Sequence, residues 1–170
     1  MRKKIFKKKG LTMLEMVITI SVLTIGLTGT FALVSGIISR TTTSSFRLIA
    51  AYLGQEGIEI VRNIRDTNWL EGFNWDEGLA GEGEADYDDY SLGSFQDRFL
   101  NLDGNGFYSY NPGTQTKFKR KITIKDREDL YPSGDPDGVI DKMTVLVEVF
   151  WKEKGKKHSL AAQEDLYNWY

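Results

Sequence analysis

Cysteine is absent from the 170 residues and histidine occurs once. Without a thiol there is no disulfide framework, no thiolate zinc or iron–sulfur site and no Cys nucleophile, and one imidazole cannot build a multi-histidine metal centre. Redox and zinc enzymes are excluded by the residues they need. Other absences are local. Residues 1–10 contain no acid, Met16–Ser39 contain no charge at all, and residues 66–97 contain no Lys or Arg. The overall totals, 22 Lys+Arg against 24 Asp+Glu with 41% hydrophobic residues, are those of an ordinary soluble protein long enough for one modest domain with a core. The apolar and charged residues are sharply segregated along the chain.

The N-terminal ten residues, MRKKIFKKKG, carry six basic side chains: Arg2, Lys3, Lys4, Lys7, Lys8 and Lys9. From Leu11 to Ser39 the only charge is Glu15, and the 24 uncharged residues after it would extend roughly 36 Å as a helix, against a bilayer core of about 30 Å. A cleaved secretory signal has a shorter apolar region, about 7 to 15 residues. A buried core helix does not explain six clustered cations in front of it. A single span is expected, with residues 1–10 on the cytoplasmic side and the chain after Arg40 outside. Glu15 is the anomaly: an acid near the start of a span costs a few kcal/mol unless it reaches water or a partner. By helical rise it lies about 6 Å from Leu11, within snorkelling reach of the headgroups.

The company of Glu15 points further. KKKG, an apolar residue, a Glu at the fifth position after the glycine, and an uninterrupted apolar helix together resemble the class III signal of type IV pilins and pseudopilins. The resemblance implies that prepilin peptidase cuts between Gly10 and Leu11 and that the new amino terminus, Leu11, is methylated. It also implies that the Glu15 carboxylate meets the amino group of Leu11, its own or a neighbour's, when helices stack in a filament. A carboxylate in apolar surroundings is tolerable beside a cation and costly alone. Partners implied by the resemblance are prepilin peptidase, other pilin or pseudopilin subunits in a homo- or hetero-filament, and an inner-membrane assembly platform. Two positions depart from the usual pattern. Leu11 stands where Phe or Met is common, and the mid-span proline of many members is missing, with Ala32 near its place and Gly26, Gly29 and Gly36 able to loosen the helix.

A second helical pattern follows the polar patch TTTSS. Phe46, Ile49, Ala50, Leu53, Gly57, Ile60, Val61 and Ile64 recur at spacings of three and four and predict an apolar face under a head. Arg47, Gln55, Glu56, Glu59, Arg62, Asn63 and Asp66 fall on the other face and read as solvated charges, with Glu59 to Arg62 and Arg62 to Asp66 spaced to pair. The expected organisation is a basic leader over 1–10, a transmembrane or filament-core helix over 11–39, its amphipathic continuation over 40–66, and a globular head over 67–170.

The base-free stretch 66–97 holds ten acids and five glycines, a loop composition, with Trp69, Phe73, Trp75, Tyr87, Tyr90 and Phe95 pinning it in places. Period two then takes over. In Lys117–Lys125 it places Phe118, Ile122 and Ile124 on one face and lysines on the other; in Met143–Trp151 it gathers Met143, Val145, Val147, Val149 and Trp151. A third strand, Lys156–Tyr167, joins the second through a turn at Lys152–Gly155, and a short strand fits around Phe107–Tyr110. The predicted fold is α+β: a long N-terminal helix, its first half membrane-spanning, packed against a small antiparallel sheet of three or four strands. The segment Gln55–Trp69 and the ending HSLAAQEDLYNWY are also similar to those of minor pilins.

Within the head, GDPDGVID offers Asp135, Asp137 and Asp141 in a tight turn, a donor set suited to Ca²⁺ as a possible cofactor; turn chemistry alone explains the same residues. NLDGNG opens like an EF-hand loop but has Pro112 where a bidentate Glu is required. Asp86, Asp88 and Asp89 could be imagined as a hydrolytic pair, yet no nucleophile accompanies them. The basic strand residues Lys117, Lys119, Arg120, Lys121, Lys125 and Arg127 raise nucleic acid as a partner. Loss of the six leader cations would leave 16 basic against 24 acidic residues, a formal charge of −8, which argues against nucleic acid and favours the acidic loop as their partner. His158 has no ligand set around it. The resemblance implies a non-enzymatic structural subunit, a minor pilin or pseudopilin of a type IV pilus, type II secretion or DNA-uptake filament. An uncleaved, membrane-anchored adhesin or DNA-capturing protein is the alternative, and an anchored hydrolase a third.

Overall fold

The computed structural model describes residues 12–128 and 141–168, the stretch 126–128 by its backbone alone. A single helix, α1, occupies Met13–Glu71, and the chain divides into two compact units, one ending at Ser44 and one beginning at Ser45. In the first unit α1 is apolar on every side. Ile18, Leu23, Ile25, Phe31, Leu33 and Ile37 are all exposed, and no part of its apolar window is buried. A helix apolar all round needs an apolar environment, and this one is long enough to cross a membrane. Gly26, Gly29 and Gly36 do not interrupt it.

In the second unit the same helix is amphipathic. Ala50, Leu53, Gly57, Ile60, Val61 and Ile64 are buried at spacings of three and four, as their sequence pattern requires. At Gly57 a Cβ would lie 2.7 Å from Val147 Cγ1 and 3.1 Å from Arg120 Cδ, so the missing side chain sets how closely helix and sheet approach. The helix passes the expected end at Asp66 and stops at Glu71, where Gly72 adopts a φ of 78°. Phe73 N donates to Asn68 O at 2.9 Å and Gly72 N to Trp69 O at 3.3 Å, the two bonds of a Schellman ending.

The head contains β1 (Gly81–Glu84), β2 (Gly93–Ser94), β3 (Asn101–Leu102), β4 (Tyr108–Ser109), β5 (Thr114–Gln115), β6 (Phe118–Glu128), β7 (Lys142–Glu153) and β8 (Lys156–Tyr167). Five of them form one antiparallel sheet in the order β2-β1-β6-β7-β8, and β4-β3-β5 form a second, smaller one. The turn between β7 and β8 is two residues, Lys154 and Gly155, both with positive φ, which suits the right-handed twist of the flanking strands. Strand alternation puts Ile122, Val145, Val147, Val149 and Leu166 into the core against the helix face.

Two expectations are corrected. The large sheet has five strands instead of three or four, and the acidic stretch contributes two of them: Gly83 pairs with Ile122 on one side and Ser94 on the other. GEGE lacks the alternating apolar residues that announce a strand, and its pairing is imposed by β6.

Candidate functional site

The start of α1 and a polar cluster under the sheet are two places where charge sits against apolar surroundings. At the first, Thr12 caps the helix: its hydroxyl accepts the Glu15 N–H at 3.3 Å and its carbonyl the Met16 N–H at 3.1 Å. Thr12 and Glu15 have the T-x-x-E spacing of a capping box. The Glu15 carboxylate is exposed and makes no hydrogen bond or ion pair among the described residues. Gly10 and Leu11 lie outside the described residues.

Beyond Glu15 five hydroxyls of the apolar segment are satisfied within the helix. Thr19, Ser21, Thr24, Thr28 and Thr30 donate their hydroxyls to the carbonyls of Glu15, Val17, Ile20, Thr24 and Gly26, at 2.7 to 2.9 Å. Each hydroxyl bonds four residues back, so it can enter hydrocarbon or a helix bundle without an orphaned donor. Glu15 is the one charged group among the described residues of this segment, and it has no partner there.

The second place centres on Arg120, which the sequence analysis set on the basic, outward face. The structure turns it inward, where it is fully buried. Residue 120 has the parity of Phe118, Ile122 and Ile124, so alternation carries it to the core with them. Its Nη1 lies 3.0 Å from Glu56 Oε1 on α1, its Nη2 donates to Ala85 O at 2.9 Å, and its carbonyl accepts the Tyr110 hydroxyl at 3.0 Å. Arg120 Nε has no acceptor among the described residues. Glu56 is therefore a structural ion-pair member, not a solvated charge. Burial pushes the Tyr110 hydroxyl up to about 12.

Two acids complete the cluster. Glu84 is buried on β1, accepts the Gln96 and Arg98 amides through Oε1, and pairs with Arg98 Nε at 2.8 Å. Asp86 is buried with its carboxylate on the Tyr110 N–H, 3.0 and 3.1 Å from its two oxygens. Burial raises its pKa, the Tyr110 N–H and Arg120 oppose that, and Asp89 and Asp88 add to it. Asp88 and Asp89 are exposed, and Asp89 Oδ2 accepts the Asp86 amide at 2.7 Å. The three acids thus do not converge: one ties β4 to the β1–β2 loop and another closes the loop on itself.

The remaining sequence candidates are placed as follows. Lys119 pairs with Asp97, and Lys121 bridges Glu82 at 3.3 Å and Glu148 at 3.2 Å, so part of the basic strand face is neutralised by acids of the same chain. Arg62 pairs with Glu59, as spaced, and also with Glu164 on β8, while Asp66 takes Arg65. In NLDGNG the Asp103 carboxylate accepts the Asn105 and Phe107 amides, each at 2.8 Å, which is turn chemistry. Of the calcium candidates Asp135 and Asp137 lie outside the described residues; Asp141 is described, half-buried, and its carbonyl accepts the Asn168 amide. His158 stacks on Trp151, ring centroids 5.4 Å apart.

Residues 5–31 match the family model for the prokaryotic N-terminal methylation motif. No curated protein and no solved structure matches the chain. The matched stretch takes in Gly10, Leu11, Thr12 and Glu15 and runs into the all-round apolar part of α1. Helix and motif together fit membrane anchoring, and the N-terminal segment of this chain carries the prokaryotic N-terminal methylation motif, which supports a pilin-like prepilin.

Proposed function

We propose that this chain is a structural subunit, a minor pilin or pseudopilin, of a type IV pilus, type II secretion or DNA-uptake filament. It is cleaved by prepilin peptidase after Gly10, methylated at Leu11, and assembled through α1. Before assembly it is a single-pass protein of the cytoplasmic membrane with its basic N-terminus inside and its head outside. The observation that carries this reading is the methylation-motif match placed on a helix in which Thr19, Ser21, Thr24, Thr28 and Thr30 pair internally while the one charge, Glu15, has no partner among the described residues. In a stack of such helices the amine freed at Leu11 supplies that partner, since a buried carboxylate without a cation is strongly disfavoured. The chain acts as a building element and carries out no chemistry on a substrate.

Replacing Glu15 tests this. In Glu15→Ala the head folds and the chain inserts, while its recovery in the sheared filament fraction falls to background. Recovery equal to wild type would remove Glu15 from assembly.

A further inference from the structure

The sheet face turned away from α1 carries a groove of about 420 Å³, lined by Phe95, Phe99 and Phe150 with Lys119, Lys121, Lys152 and Lys157 among its cations and Asp97 as an acid. Alternation places Phe150 and Lys152 opposite in direction to Val147, Val149 and Trp151, whose side chains belong to the core under the helix. Lys119 and Lys121, in the same groove, are paired with Asp97 and with Glu82 and Glu148. Lys152 and Lys157 are exposed and have no anionic partner among the described residues. They are also directly opposed across β7 and β8, a like-charge pair that weakens the hairpin until an anion comes between them.

A complementary feature projects from the other side of the sheet. Tyr87–Tyr90 form the loop between β1 and β2, and Tyr87 lines a hollow with Glu56 of α1 and Phe107. Tyr87 and Tyr90 are 54% and 75% exposed, unusual for two aromatic side chains on one short loop. Between them Asp88 is exposed and has no partner among the described residues, whereas Asp89 is held on the Asp86 amide.

We propose that the groove of one copy receives the Tyr87–Tyr90 loop of a second copy, with Asp88 set against Lys152 and Lys157 and a tyrosine ring against Phe150. The two surfaces match in charge and in aromatic character. Because they lie on opposite faces of the sheet, the contact is head-to-tail and repeats from copy to copy without closing into a two-fold dimer. The inference deepens the filament reading and rests on it for the setting in which heads meet, but it concerns head residues alone.

The chain has no cysteine, so Asp88→Cys in one preparation and Lys152→Cys in another each introduce a single thiol. Both sites are exposed and neither substitution removes a core contact. Full-length, detergent-solubilised variants are mixed at equal concentration under mild oxidation and resolved by non-reducing electrophoresis. The expected result is a mixed dimer about tenfold more abundant than either same-variant dimer, because the two thiols meet only across the contact. In a variant pair without thiols, Lys157→Glu weakens association measured by sedimentation and Asp88→Lys in the other copy restores it. A mixed dimer no more abundant than the same-variant dimers, or thiol-free association indifferent to Lys157→Glu, overturns the contact; a groove that takes an external polyanion gives that outcome. Filaments that still form in that case leave the filament reading standing, and a mixed dimer from chains that never polymerise supports the contact while counting against that reading.

Discussion

Arg120, in the middle strand of the head, places its guanidinium 3.0 Å from the Glu56 carboxylate on the helix, beside a core of aliphatic and aromatic side chains. The arginine is fully buried and the Glu56 side chain is about one-third exposed, at 35%. The pair is therefore asymmetric: losing Glu56 strands a buried cation, while losing Arg120 leaves a carboxylate that water can reach.

Arg120→Met should accordingly be mild. It removes the unsatisfied Nε and the ion pair together and fills much of the same volume, but strips the Ala85 carbonyl of its donor, and is expected to cost about 1–2 kcal/mol. Glu56→Leu keeps the buried guanidinium and removes its counter-charge, and is expected to cost about 3 kcal/mol. Urea denaturation followed by Trp fluorescence measures both. Equal losses in the two variants would mean that the pair does not hold helix and sheet in this way.

Gly57 is the point of closest approach between helix and sheet. Gly57→Ala places a methyl 2.7 Å from Val147 Cγ1 and should destabilise the head by about 1–3 kcal/mol, despite the better helix propensity of alanine. Gly36→Ala meets nothing within 4 Å and should leave the thermal midpoint of the head unchanged. The contrast between the two glycines, read by thermal melting of the full chain, checks the packing.

Asp86 gives the head a pH signature. Burial raises its pKa in the folded state above the ordinary value of 3.8, so the folded chain holds that proton more tightly than the unfolded chain does. For a raised acid the sign is the reverse of the usual carboxylate case: its contribution is most favourable below the unfolded pKa and is lost as pH rises through the folded pKa. Wild type should therefore lose a component of stability as pH rises just above the ordinary carboxylate range. Asp86→Asn, which keeps an oxygen for the Tyr110 N–H, should remove that component. Urea midpoints at about pH 4 to 7 for the two proteins provide the measurement.

These residues also show what the sequence made legible. The helix, β6, β7 and β8 follow from apolar spacing that switches from three and four to two, and Lys156–Tyr167 has the bounds expected for it. The inward turn of Arg120 follows from the same alternation, but grouping it with the neighbouring lysines by charge hides its parity. β1 and β2 carry no periodic signal, since Gly81, Gly83 and Gly93 supply backbone without side chains and their strand character comes from the edge of β6. Two-residue strands such as β3 and β5 are too short for any period to register. The burial of Glu84 and Asp86 depends on Arg98 and the Tyr110 amide, which pairings distant in the chain bring to them.

The account rests on the freed amine of Leu11 as the partner Glu15 requires. The most direct measurement is the intact mass and N-terminal fragment spectrum of the protein purified from surface or periplasmic filaments of its host. The account predicts a chain that begins at Leu11 with a methylated amine. Recovery of the chain only from membranes, with all ten leader residues attached, would contradict it.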